Sequence, residues 1–274
     1  MNNNFVMEGK QVRCLKQPWN PLRLTGTRFP AVLGFDRFKT PFETWCEMVR
    51  IAKINFVENE FVRAGRIVEQ RLVPVLKTRY SNLDIKLPQE VLDIKANPYN
   101  FFPNQPIFGG MWDCLGNNTL IEIKTTGIKN AKYWVSSIPQ TALYQAALYA
   151  YLSHSDNIMI CCSFLTEEDY KRPDLYKPVL GKYLDNKGMN TLCRTYSLEK
   201  LFPNFATEEL LAAEAFWHNH VLTGISPAYT EQDVASGLVS ALEEKLFGFN
   251  RQLQGVQSSY TDRHVWNSRK EQAG

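Results

Sequence analysis

The chain has 274 residues, a formal net charge of +3 and 44% hydrophobic residues, values ordinary for a globular protein with one large domain or two small ones. No apolar run approaches the ~20 residues that span a bilayer, and Met1-Asn2-Asn3-Asn4 lacks the basic-then-apolar order of a signal peptide. These features argue against a membrane-embedded or secreted protein, so a cytosolic chain without a membrane partner is expected.

In chain order, residues 1–18 are expected to form an irregular arm. Lys10, Arg13, Lys16, Arg23, Arg28, Arg37 and Lys39 crowd the first forty residues against only Glu8 and Asp36. A basic arm of this kind can contact phosphates without reading sequence, although a solvated surface has the same composition. Pro41 opens a helix with Thr40 as N-cap and Glu43 three residues later, a capping-box pattern. A second helix is expected over 57–77, with Phe61, Ala64, Ile67, Val68, Leu72 and Val75 on one stripe. Glu69 sits beside that stripe, where an exposed helix glutamate is the ordinary outcome. Residues 87–106, rich in proline and asparagine, read as loop with a short strand near Val91–Ile94.

Segments 107–115 and 119–125 read as an antiparallel hairpin around Gly116, Asn117 and Asn118. A helix is expected over 137–153 with Ser137 as N-cap and Pro139 early. The apolar run 157–165 predicts a buried strand and 190–198 another. A helix over 207–223 would be capped by Thr207, and a further helix near 230–247 would precede a polar tail from Gln252. The expected division is therefore 1–228 as the main domain with its basic arm and 229–274 as a helical appendage with a tail. Of Cys14, Cys46, Cys114, Cys161, Cys162 and Cys193, none form C-x-x-C, so zinc and iron–sulfur spacings are absent and buried reduced thiols are expected.

Chemistry concentrates in the hairpin. Residues two apart on a strand share a face, so Glu122 and Lys124 point one way and Ile121 and Ile123 the other. Asp113, on the partner strand, can face the same side as Glu122. Two carboxylates at one point suit a hard cation with oxygen ligands, and a neighbouring lysine can stabilise charge on a phosphate. This is a compact way to build a magnesium-dependent phosphodiesterase, but Glu-x-Lys also occurs on solvated sheet faces.

Four stretches, in order, resemble the PD-(D/E)XK nucleases, and among them the lambda-exonuclease-type, YqaJ-like viral recombinases related to the RecB nuclease domain. They are Thr25-Gly26-Thr27-Arg28 running through Leu33-Gly34 to Lys39-Thr40-Pro41-Phe42-Glu43-Thr44-Trp45; Gly65-Arg66-Ile67-Val68-Glu69; Asp113 with Glu122-Ile123-Lys124; and Ile138-Pro139 followed by Gln145-Ala146-Ala147-Leu148-Tyr149. A weaker match is Phe216 to Gly224. The family often has Pro-Asp-Gly at the first acid, where this chain has Trp112-Asp113-Cys114.

The resemblance implies an α/β fold, a mixed central sheet flanked by helices. It implies Mg2+, with Mn2+ able to substitute, held by Asp113, Glu122 and the carbonyl of Ile123, with Glu69 completing the site. Lys124 would position the attacking water or neutralise phosphate charge, and Gln145 would orient the site or contact a phosphate. Tyr149 is then either a DNA contact or helix packing. For a 5′-phosphate, Arg23 (four residues after Trp19) and Arg28 compete, with Thr25 and Thr27 as hydroxyl donors. The implied activity is DNA exonuclease action on linear duplex ends, 5′→3′, in phage-type recombination or repair, inside a bacterial or phage-infected cell. A single-strand annealing protein and a homotrimer are the implied partners. A structure-selective or single-strand endonuclease, and a catalytically silent DNA-binding module, remain open alternatives.

Overall fold

A computed structural model describes residues 5–18, 20–52, 59–96, 100–181 and 188–246. Strands are β1 (Phe5–Glu8), β2 (Gln11–Cys14), β3 (Cys114–Gly116), β4 (Thr119–Gly127), β5 (Asn157–Leu165), β6 (Leu180–Gly181) and β7 (Thr191–Ser197). Helices are α1 (Phe29–Val32), α2 (Pro41–Met48), α3 (Glu60–Arg79), α4 (Pro88–Val91), α5 (Ala131–Ser136), α6 (Gln140–Leu152), α7 (Glu167–Lys171), α8 (Leu198–Leu201), α9 (Glu209–Phe216) and α10 (Glu231–Ala235). Packing divides the chain into two units, residues 22–39 with 53–217, and residues 1–21, 40–52 and 218–274. Among the described residues no helix is long and apolar enough to cross a membrane.

The first unit is built on a five-stranded mixed sheet of order β3-β4-β5-β7-β6, flanked by helices. β3 and β4 form the expected antiparallel hairpin, but β5 lies parallel to β4. Parallel neighbours need a long crossover, and α5 and α6 supply it. β5 is covered on both faces, which its unbroken apolar run requires. On one face Ile121, Ile123, Met159, Cys161 and Cys193 meet Leu72, Val73 and Leu76 of α3. On the other, α6 packs across β4 and β5. Helix α6 is apolar nearly all round, as a helix buried between layers must be. Its outer side carries Tyr144, whose ring lies 6.3 Å from that of Phe29 in α1.

Several elements differ from expectation. Of the α3 stripe, Ala64, Val68 and Leu72 are buried, but Phe61 is exposed and packs edge-on against Tyr170; Val73 and Leu76 take the inward positions. Residues 57–58, expected in this helix, lie outside the described residues. Near Val91–Ile94 there is no strand. Instead Pro88–Val91 makes one helical turn, closed by the Glu90 carboxylate accepting from Leu87 N–H. The segment before Cys114 is not strand either, apart from an isolated pairing of Phe108 with Leu24. Ser137 is not an N-cap: it ends α5 in extended conformation, and α6 starts only at Gln140. Proline disfavours helix in the residue before it, so Pro139 separates the two helices. Thr207 caps nothing; its hydroxyl donates to Asn204 O, and α9 starts at Glu209.

In the second unit, the first residues form an antiparallel hairpin rather than an irregular arm. Phe5 pairs with Cys14, Phe5 and Val12 are buried, and Gly9 turns the chain at φ +59°. Thr40 caps α2 as expected, its hydroxyl accepting from Glu43 N–H at 2.9 Å. Trp45 Nε1 donates to His220 O at 2.8 Å, and Asp233 accepts from the Thr40 and Thr230 hydroxyls. The helix expected over 230–247 is broken: α10 stops at Ala235, Gly237 takes φ +79°, and helix resumes over 238–246. Trp19 and the tail from Gln252 lie outside the described residues. All six cysteines are free thiols, five of them buried and Cys14 half-buried.

Candidate active site

The hairpin register, with Cys114 opposite Ile121, sets Asp113 across from Glu122, one residue before β3 begins. Asp113 therefore does not sit on the strand. Its carboxylate substitutes for the missing ladder partner, Oδ2 accepting from Ile123 N–H at 2.6 Å. Because β3 is the edge strand and starts only at Cys114, no strand among the described residues pairs with the outer side of β4 beyond this point. The candidate residues gather beside it.

Glu122 is 2% exposed. Its Oε1 accepts from Lys124 Nζ at 2.6 Å and from Gln145 Nε2 at 2.7 Å, while Lys124 also donates to Gln145 Oε1 at 3.0 Å. Strand alternation puts Glu122 and Lys124 on one face, and α6 lowers Gln145 onto both. The second oxygen, Glu122 Oε2, is buried with no hydrogen-bond partner among the described residues. A buried charged oxygen left unsatisfied is costly.

Electrostatics agree. Burial, then the charges of Glu122 and Glu69, hold the Asp113 carboxyl well above its usual range. Burial, then the charge of Glu122, raises that of Glu69 on α3. Burial pulls the Lys124 ammonium down, but the charges of Glu122 and Asp113 outweigh it, and the net displacement is upward. Three carboxyl groups thus face one ammonium, with the Arg66 guanidinium acting on Glu69 as well, an arrangement that a cation would relieve. Among the described residues, however, no three His, Cys, Asp or Glu side chains are grouped so as to hold a metal ion. Glu69 feels the charge of Glu122 from α3 without completing a ligand set. The donors that fit a hard cation are the orphaned Glu122 Oε2, Asp113 and the carbonyl of Ile123, with water.

Tyr149 is not placed as a DNA contact. It is 3% exposed, and its hydroxyl accepts from Gly26 N–H at 2.9 Å. A Cβ on Gly26 would stand 2.5 Å from Gln145 Cγ, and one on Gly110, at φ +128°, 2.2 Å from Tyr149 Oη. Two chain segments therefore close on the Gln145–Tyr149 side of α6 through glycines. Gly26 and Gly110 are site residues that the sequence reading missed; Thr-Gly-Thr and Gly-Gly were the only local signs. Gly110→Ala is expected to destabilise by about 2–4 kcal/mol, from strained backbone and overpacking together. Thermal unfolding should show Tm lower by roughly 5–15 °C; an unchanged Tm would mean that the segment relaxes freely.

The other phosphate candidates lie on the turn that Tyr149 supports. Thr25 and Thr27 hydroxyls are 3.0 Å apart, Arg28 Nη1 donates to Arg23 O at 3.0 Å, and Arg23 Nη1 donates to Phe102 O at 3.2 Å. Thr27 alone of these four lines the cleft of about 790 Å³ that also takes in Lys124 and Gln145.

No family model matches the chain. It is 26% identical, over 77% of its length and 85% of the relative's, to the uncharacterized protein MG373 of Mycoplasma genitalium. It is 25% identical, with the same coverage, to the homologue of that protein in Mycoplasma pneumoniae. Among solved structures it is similar to an alkaline exonuclease from Laribacter hongkongensis (TM-score 0.49, 12% identity, 85% of this chain and 94% of that one). A phage-related exonuclease from Haemophilus somnus 129PT is a second such structure (TM-score 0.47, 12% identity, 73% of this chain and 95% of that one).

Proposed function

We propose that the chain is a magnesium-dependent deoxyribonuclease, an exonuclease that hydrolyses phosphodiester bonds at linear duplex ends. The observation that carries this reading is the buried Glu122 Oε2, without a hydrogen-bond partner among the described residues, beside Asp113, Lys124 and Gln145 on β4. Asp113, Glu122 and the Ile123 carbonyl would hold the cation. A cation held there would lower the pKa of water and offset charge on the phosphate. Lys124, kept protonated by its acidic neighbours, donates to a phosphate oxygen and offsets charge that develops there. Gln145 holds Lys124 and Glu122 at once, fixing their spacing before substrate arrives. DNA as substrate, entry at ends, 5′→3′ polarity, a recombination role, an annealing partner and an oligomer rest on the motif resemblance.

The test follows equal amounts of linear and closed circular duplex with and without magnesium. Half of the linear samples carry a 5′-phosphate and half a 5′-hydroxyl. Magnesium-dependent loss of the linear form alone, faster with the phosphate, is the expected result. Loss of the circle as well would replace the exonuclease reading with an endonuclease. Loss of neither would leave a DNA-binding module without hydrolysis.

A further inference from the structure

The cleft beside Lys124 has walls that phosphodiester hydrolysis does not use. Among its described lining residues the cations are Arg37 and Lys124, against four aromatic rings, Phe35, Phe38, Tyr133 and Trp134. A groove that tracks only phosphates is lined by many cations. A groove that takes unpaired bases presents rings.

The rings are held ready. Gly34 turns the chain after α1 at φ +78°, Phe35 N–H donates to Pro30 O at 2.9 Å, and the Phe35 ring stacks on Tyr144 with centroids 4.6 Å apart and 9° between planes. Asp36 Oδ1 accepts from Phe38 N–H at 2.8 Å, which fixes the turn carrying Phe38. Phe38 is 75% exposed, with the Arg37 guanidinium carbon 4.5 Å from its ring centroid. Tyr133, on α5, is 55% exposed, while its neighbour Trp134 is buried and anchors that helix. Exposed rings of this size on ordered backbone offer contact area with little conformational entropy left to lose.

We propose that Phe38 and Tyr133 form a nucleobase platform that stacks the bases of an unpaired strand, so that the cleft takes single-stranded nucleic acid of any sequence. The inference rests on the phosphodiesterase reading for placing the scissile phosphate at Lys124.

The test measures binding of a fluorescent single-stranded oligothymidylate and of an abasic strand of equal length, by anisotropy in EDTA, where hydrolysis is absent. The full chain is expected to prefer the base-bearing strand by roughly 5- to 150-fold, the factor for one stacked base. Phe38→Ala combined with Tyr133→Ala should bring that preference close to unity with the abasic affinity unchanged, and Phe38→Tyr should keep it. Equal binding of the two strands by the full chain, or a preference that survives the double substitution, would overturn the platform. Hydrolysis assayed separately with magnesium tells the two readings apart. Base preference without hydrolysis removes the phosphodiesterase and leaves the platform; hydrolysis without base preference does the reverse.

Discussion

Lys124→Ala is expected to lower magnesium-dependent hydrolysis of linear DNA by about 10²–10³-fold, the range seen when one donor aimed at developing charge is removed. Its ammonium stands 2.6 Å from Glu122 Oε1 and 3.0 Å from Gln145 Oε1, so its position is set from two elements. Its protonated form is favoured because Glu122 and Asp113 outweigh the effect of burial. Removing one partner of a buried pair can also destabilise the fold. Here Gln145 Nε2 still donates to Glu122 Oε1, which limits that loss. Initial rates must therefore be read beside thermal unfolding and DNA binding in EDTA. A folded, DNA-binding variant with undiminished hydrolysis would remove Lys124 from the chemistry. Lys124→Arg should not restore the rate, since a planar guanidinium cannot replace a compact ammonium between these two oxygens.

What could be read from the sequence was what short-range periodicity encodes. The alternation Leu120-Ile121-Glu122-Ile123-Lys124 put acid and lysine on one face and the isoleucines in the core, as found. The apolar run of β5 and the Thr40 cap are equally local. Some expectations failed locally, at Pro139 and Gly237; others depended on contacts distant in sequence. Segment 107–113 has strand-like residues but almost no ladder partner; Gly110 takes φ +128°, and Asp113 meets β4 through its side chain. Residues 5–14 carry just Phe5 and Val12 as buried apolar positions, too few for alternation to show. Tyr149 is placed by Gly26, 123 positions away, and no spacing rule announces such a contact. The α3 stripe gains Val73 and Leu76, which join Ile121 and Ile123 of the sheet in one core cluster.

Asp113→Asn is expected to separate stability from activity. Burial, then the charges of Glu122 and Glu69, raise the Asp113 pKa in the folded state. A raised acid binds its proton more tightly folded than unfolded. Its contribution to stability is therefore present at low pH and is lost as pH rises from the unfolded value of about 3.9 through the folded one. At neutral pH without a divalent ion, this raised pKa counts against folding. Asparagine keeps an oxygen for the Ile123 N–H and carries no charge, so in EDTA at pH 7 the variant should melt above the native chain, by roughly 2–4 °C for each kcal/mol relieved. That difference should shrink as the pH is lowered toward 4. Magnesium should raise Tm of the native chain through linkage and that of the variant less, while hydrolysis by the variant falls at least about 10²-fold. A variant that melts lower in EDTA, with a native Tm indifferent to magnesium, would mean that these carboxylates are arranged for packing rather than for a cation. A higher Tm with lost activity would identify the strain at Asp113 as part of the site's function, since stability given up at an active site is recovered when the residue that carries the charge is neutralised.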